Sequence, residues 1–408
     1  MLWQPPRRSA LRIESFDHRP PSGADKHFKM IGTTGTGKST AIRELLDGAL
    51  ERGDRAVIAD PDFSYVDSFY DKARGDVILN PFDSRAACWD LFAEMSTPYD
   101  ADQLARSLIV DTEGTERPWR DYARVFLTSL LRQLHTVKHD DVGELYRLLR
   151  VTPVADLRDL LSDTPAGPYL SQDNGRFFGA VRAVANTHLA ALEPVALQST
   201  RDKLSVRGWI KGGEGSDRGV LFLPYKANEI ATLRSLISTW MRLAIFEATT
   251  ARAIDQRLWF VIDELDALGA IDGLKDALAR LRKCGGRCVL GFQSIAQVSG
   301  TYGHAEAQTI VENCGNTLVL RCSSSENGGA ARFASKLIGE REVTREQITE
   351  SRGGGYIFAA DHRSVSKSQQ TVTESAVLSS EIEQLPHLQG FLKFASKPDW
   401  RRVRLHVR

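Results

Sequence analysis

The 408-residue sequence has no run approaching the roughly 18 apolar residues that a bilayer span requires. Its longest apolar stretches, Gly219 to Leu223 and Leu258 to Ile262, are strand-sized, so a soluble chain is expected. Charge of one sign is also missing. With 53 Lys plus Arg against 52 Asp plus Glu, no global basic field advertises a nucleic-acid partner, and only local patches remain available for one. Cysteine is sparse and scattered, at 88, 284, 288, 314 and 322. Cys284 and Cys288 have no second Cys or His pair near them, so the expectation is buried, reduced thiols in a reducing cytosol rather than a zinc site. The N-terminal stretch "MLWQPPRRSALRIESFDHRPPSG" lacks the apolar core of a secretory signal. Its prolines and arginines predict a poorly ordered lead-in over residues 1–26. Internal repeats and low-complexity tracts are absent from the sequence as well.

What is present is 42% hydrophobic residues, enough for a sizeable core, in a chain long enough for about two domains. "HFKMI" predicts a short strand; after a glycine-rich loop, Ala41, Ile42, Leu45, Leu46, Ala49 and Leu50 share one helical face. "RAVIAD" (55–60) and "DVIL" (76–79) follow as apolar strands that run into proline-bearing turns. This alternation predicts an α/β fold with a parallel sheet flanked by helices. From about residue 96 to 195 the pattern becomes wholly helical, as in "WRDYARVFLTSLLRQLHTV" and "RFFGAVRAVANTHLAAL". Strand patterns resume at "GVLFLPY", "LWFVIDE", "RCVLGFQS" and "TLVLRCS". The reading is therefore a nucleotide-binding domain over 27–95 and 196–408, interrupted by an all-α domain over 96–195. Residues 341–380 are polar and of mixed pattern, which predicts a ragged hairpin or a mobile loop.

The chemistry concentrates in "KMIGTTGTGKST". Gly32 to Ser39 fits Gly-x-x-x-x-Gly-Lys-Ser/Thr, and it lies between a predicted strand and a predicted helix, the context in which that pattern cradles phosphate. Across the loop Thr34, Gly35, Thr36, Gly37, Lys38, Ser39 and Thr40, the glycines let successive N–H groups converge on one anion at the positive end of the following helix. Lys38 can reach the β- and γ-phosphates, the Ser39 hydroxyl can take a Mg²⁺ coordination position, and Thr40 can contact the α-phosphate.

The second half of the site is "LWFVIDELDALG". A four-residue apolar run, Trp259 to Ile262, delivers Asp263 and Glu264 at the carboxyl end of a strand, where ligands of open α/β sheets bind. Asp263 would hold Mg²⁺ and Glu264 would polarise the water that attacks the γ-phosphate; the alternative is acids placed to suit a helix dipole. Gln293, after the strand "RCVLGF", is either a γ-phosphate sensor or an ordinary strand-end polar residue. Arg280, Arg282, Lys283 and Arg287 make a basic patch that is either a solvated face or the source of an arginine for a neighbouring subunit's phosphates.

Taken in order, "HFKMIGTTGTGKST", "RGDRAVIADPDF", "VILNPFDSRAACWDLFAE", "LWFVIDELDALG", "DALARLRKCGGRCVLGFQS" and "TYGHAEAQTIVENCGNTLVLR" resemble the type IV coupling proteins of bacterial conjugation and type IV secretion, the TraD/TrwB group. The likeness covers roughly residues 27 to 400. It implies a RecA-like P-loop NTPase domain with an all-helical insert. It further implies ATP and Mg²⁺ as cofactors, DNA-stimulated ATP hydrolysis, and a hexameric ring that drives DNA and protein into a secretion channel. DNA, the relaxase complex and inner-membrane secretion components are the partners so implied, at the cytoplasmic face of the bacterial inner membrane. Position by position, the resemblance gives Lys38 and Ser39 to nucleotide and metal, Asp263 to metal, and Glu264 to catalysis. It makes Gln293 the γ-phosphate sensor and Arg282 an arginine acting across the subunit interface. Family members usually carry an N-terminal membrane anchor, and the residues before this glycine loop show none, so a chain that is monomeric in dilute solution is expected. Two further functions stay open, a DNA translocase of the FtsK/HerA type without a secretion role, and a nucleotide-gated substrate adaptor.

Overall fold

The computed structural model describes residues 26–110, 115–198, 201–212, 218–250, 257–325, 329–353 and 362–405; apart from Lys26, the lead-in read from the sequence lies outside them. Apolar runs become strands and 3.6-periodic runs become helices. β1 (Phe28–Ile31) passes through the glycine loop into α1 (Lys38–Glu51), and β2 (Arg55–Pro61), α2 (Val66–Phe69), β3 (Val77–Ile78) and β4 (Cys88–Trp89) follow. The next stretch is helical: α3 (Pro98–Leu108), α4 (Arg117–Thr136), α5 (Val142–Arg150), α6 (Val154–Leu161), α7 (Gly175–His188) and α8 (Leu192–Ala196). β5 (Lys203–Leu204) and α9 (Val206–Lys211) lead back to alternation in β6 (Val220–Tyr225), α10 (Ile230–Thr250), β7 (Leu258–Ile262), α11 (Leu274–Leu281) and β8 (Gly286–Phe292). α12 (Ile295–Tyr302), α13 (His304–Asn313), β9 (Asn316–Val319) and α14 (Gly329–Ile338) precede the paired strands β10 (Glu340–Gly353) and β11 (His362–Ser375). The chain then runs through α15 (Ser379–Glu383), β12 (Gln389–Lys393) and β13 (Arg401–Arg404).

Nine strands form one sheet in the order β13-β12-β9-β1-β8-β7-β2-β6-β3. From β9 to β3 every pairing is parallel, whereas β12 and β13 add an antiparallel edge that the sequence pattern did not announce. The central strands are buried on both faces, and their side chains alternate between two apolar layers. Ala56, Ile58, Trp259 and Val261 pack toward α1 with Phe28, Met30, Ile42 and Leu46. Val57, Ala59, Phe260 and Ile262 face the opposite layer, with residues of α10, α11 and α13. That second layer is continuous with the core of the helical stretch, where Phe126, Leu127, Leu130 and Leu131 of α4 are fully buried. Arg242 of α10 ties the two together by donating to Ser107 Oγ and Gln103 Oε1 on α3.

Residues 340–353 and 362–375 are more regular than the ragged hairpin the sequence suggests. β10 and β11 pair over fourteen antiparallel positions as a separate two-stranded ribbon, with Arg341 and Arg345 both meeting Glu374. The cross-strand pairing compensates for the absent apolar alternation, which is why pattern alone under-reads it. Among the described residues no helix is long and apolar enough to cross a membrane.

Candidate active site

Parallel pairing brings the ends of β1, β7 and β8 to one edge of the sheet. Ile31 stands opposite Phe292 of β8, and Ile262 opposite Leu290, so the residues that follow each strand emerge side by side. These are the glycine loop, Asp263 with Glu264, and Gln293. Close approach between β7 and β8 depends on Gly291, where an added Cβ would lie 2.1 Å from the Asp263 carbonyl oxygen.

In the loop, Gly35 and Gly37 adopt φ of 74° and 115°, in the left-handed region that side chains rarely occupy. Gly37 caps α1 without any side-chain cap, so the leading N–H groups of the helix keep their capacity for an anion. Thr36 is buried and donates from Oγ1 to the Thr33 carbonyl at 2.7 Å, closing the turn, while Thr34 and Gly35 are exposed at its tip. Lys38 is buried too, and its ammonium donates to the Gly32 carbonyl at 2.7 Å, folded over the loop. Burial pushes its pKa down, against the pull of Asp263 and Glu264. Thr40 is half-buried in the first turn of α1.

Ser39 Oγ donates to Asp263 Oδ2 at 2.6 Å across a sequence gap of 224 residues, which joins the two halves read from the sequence. The other Asp263 oxygen, Oδ1, is buried without a hydrogen-bond partner. A buried carboxylate oxygen left open beside a hydroxyl suits a divalent cation, and Mg²⁺ in such sites takes few protein ligands and completes its shell with water and phosphate. Among the described residues no group of three or more His, Cys, Asp or Glu side chains is placed to hold a metal ion by itself.

Glu264 is half-buried; desolvation and then the neighbouring Asp263 charge raise its pKa, while Lys38 and a hydrogen bond with Gln293 lower it. Gln293 is thus in contact with the carboxylate predicted to handle water. Arg282 lies elsewhere. It is exposed at the opposite end of β8, a strand of seven residues, and so about 20 Å from this edge.

Three features of the site escaped the sequence reading. Tyr65, fully buried, donates its phenolic O–H to Asp263 Oδ2 at 2.9 Å. Asp60, at the end of β2, accepts the N–H groups of Tyr65 and Val66 at 2.9 and 2.7 Å, and burial raises its carboxyl to about 6. The C-terminal segment also touches the loop: the Leu388 N–H donates to the Thr36 carbonyl, and His387 Nδ1 lies 3.2 Å from the Gly35 carbonyl. Only Asp60 carried a signal, as an acid at the carboxyl end of an apolar strand; Tyr65 and His387 stand in loops whose pattern says nothing of their destination.

This geometry has counterparts among known proteins. The family model described as the type IV secretion-system coupling protein DNA-binding domain matches residues 19–406. The coupling protein TraD of Escherichia coli (strain K12) is 30% identical over 370 residues, which is 90% of this chain and 50% of TraD. The chain spans about half the length of the relatives of this kind that it matches. Among solved structures, the unbound monoclinic form of the conjugative coupling protein TrwB is 30% identical with a TM-score of 0.81, covering 96% of this chain and 88% of that one. TrwB in complex with ADP and Mg²⁺ is likewise 30% identical, with a TM-score of 0.80 over 94% and 85%. The α/β fold is accordingly RecA-like, with a P-loop and a helical insert. By the extent of the family match and the arrangement of the strands around the loop, the chain belongs to the family of type IV secretion-system coupling protein DNA-binding domains.

Proposed function

We propose that this chain is the ATP-hydrolysing motor of a conjugative coupling protein, which recruits a relaxase-bound DNA substrate and powers its transfer into a type IV secretion channel. Residues 27–95 and 196–408 form the motor and 96–195 the helical domain inserted in it. The observation that carries the reading is the 2.6 Å contact of Ser39 with Asp263, with Lys38 on one side and Glu264 and Gln293 on the other. A chance glycine turn would have no reason to meet the acids of a strand more than 200 residues away.

In this reading residues 34–40 hold the phosphates of ATP, and Lys38 leaves the Gly32 carbonyl for the β- and γ-oxygens. Ser39 and Asp263 hold Mg²⁺, which supplies neutralisation of the phosphate charge when bound. Glu264, kept receptive to a proton by its half-buried setting, orients and polarises the attacking water, and Gln293 reports to it whether the γ-phosphate is present. Arg282 cannot reach the site of its own chain across the length of β8, so any action on phosphates is on those of a neighbour, in a ring of six. DNA, a relaxase complex and inner-membrane secretion components are the partners, at the cytoplasmic face of the bacterial inner membrane, with the dilute chain monomeric.

The test is ATP hydrolysis against protein concentration, with and without single- and double-stranded DNA, using Lys38→Ala as the blank. A rate per subunit that rises with concentration and with DNA is expected of a motor whose site is completed by a neighbour. A flat rate indifferent to DNA would replace the motor by a nucleotide-gated adaptor. Mixing Arg282→Ala with Glu264→Gln subunits should recover part of the activity; no recovery where rings form would remove Arg282 from the site.

A further inference from the structure

We infer that Tyr65 is a positioning residue for the metal-binding carboxylate, an arm of the site supplied by the loop after β2. The inference rests on the reading of Asp263 as a Mg²⁺ ligand. Asp263 Oδ2 has two donors, Ser39 Oγ at 2.6 Å and Tyr65 Oη at 2.9 Å, and Oδ1 has none. The two donors are not equivalent. Ser39 is itself a candidate ligand, so its hydroxyl is diverted when metal and nucleotide are bound, whereas the Tyr65 phenol is not among the candidate ligands. The phenol then remains to hold Oδ2 and to keep the open oxygen aimed, as outer-shell donors do for ligating side chains.

The geometry around Tyr65 is built for a fixed position. The residue is fully buried, with the Arg43 guanidinium of α1 5.6 Å from its ring centroid. Its backbone N–H and that of Val66 are both held by the Asp60 carboxylate, and Ser64 Oγ lies 3.3 Å from the same group. Just before this turn, Asp62 and Phe63 take φ of 55° and 61°, values that non-glycine residues rarely hold without support from their surroundings. The path from β2 to the metal site is therefore Asp60, the 64–66 turn, the Tyr65 phenol and Asp263. If the ring were there only to pack, phenylalanine would serve equally well and the hydroxyl would not need to end on a carboxylate.

The experiment is calorimetric titration of the 408-residue chain with ADP, in EDTA and over a series of Mg²⁺ concentrations, for the wild type, Tyr65→Phe, Asp60→Asn and Asp263→Asn. Tyr65→Phe keeps the ring, and its fold is checked by its melting curve. The expected result is unchanged ADP affinity in EDTA for Tyr65→Phe, with the Mg²⁺ concentration for half-maximal tightening raised about 10- to 100-fold. Asp60→Asn should shift it in the same direction by less, and hydrolysis by Tyr65→Phe should recover at high Mg²⁺. A Tyr65→Phe chain with wild-type Mg²⁺ dependence overturns the positioning role while leaving the metal site standing. A wild type whose ADP affinity ignores Mg²⁺, or an Asp263→Asn chain that still responds to it, overturns the metal site and the inference with it.

Discussion

The carboxyl edge of the sheet and the helical stretch from α3 to α8 share one continuous hydrophobic core, yet they hold buried charged groups in different ways. In the helices the buried guanidinium groups are matched: Arg124 donates to the Ile109 carbonyl and to Asp121, and Arg182 donates to the Leu149 carbonyl, while two neutral atoms, Ser129 Oγ and Asn186 Oδ1, are buried without a partner. At the sheet edge a carboxylate oxygen is left open, an ammonium is buried against a carbonyl, and an acid is held near pKa 6. Such groups cost free energy in the folded chain, and the well-packed helices and strands tolerate them. The difference teaches where to look for function: buried charges are paired where the chain only needs to be stable and left open where a ligand completes the set.

The comparison can be broken at either side. Glu264→Gln should leave ATP affinity near wild type and lower turnover by about 10²- to 10⁴-fold, measured by steady-state hydrolysis beside a binding titration. Ordinary turnover would place the catalytic carboxylate elsewhere. On the other side, Phe126→Ala in the core of α4 should cost about 3–5 kcal/mol in denaturant unfolding. The folded fraction should bind nucleotide as before, and a matching loss of affinity would show the two regions to be less separate in function than in chemistry. Lys38→Ala should weaken ATP binding by about 100-fold through loss of a charge-assisted contact, while the melting temperature stays level or rises, since a buried ammonium has been removed.

The smallest effect sharpens the contrast by pH. Burial raises the Asp60 carboxyl to about 6 in the folded chain, above the ordinary carboxylate value near 4. The folded state then binds its proton more tightly than the unfolded state, so the contribution of this group is largest below pH 4, falls as pH rises toward 6, and is level above. Asp60→Asn carries no such titration. Relative to the wild type it should gain about 1–2 kcal/mol between pH 4 and 7 in denaturant unfolding. A difference that stays constant with pH would mean that Asp60 is not held in its protonated form by burial.

How much of this could be read without coordinates depends on the distance over which the signal acts. β7 was legible because Leu258 to Ile262 are apolar in succession, and α1 because its apolar residues recur at helical spacing. The ribbon of β10 and β11 was legible only as a loose hairpin, and the antiparallel edge of β12 and β13 not at all, since their stability comes from pairing partners and not from their own pattern. Tyr65 was invisible for a similar reason: nothing in "DPDFSYVD" says that one of its side chains ends on an aspartate almost 200 residues further on.

By itself, then, the sequence determined the elements and the chemistry available at their ends: a glycine loop with Lys38 and Ser39, an apolar strand ending in Asp263 and Glu264, and a helical stretch between them. Only the tertiary structure decided which of these ends meet. Strand order and register are set by which faces bury against which, a property of the whole core, and they placed Ser39, Tyr65 and Asp263 within hydrogen-bonding distance and Arg282 at the far edge. Local periodicity names the parts because each residue needs only its near neighbours to show it; the site requires residues distant along the chain to be held together, and the packed sheet supplies that.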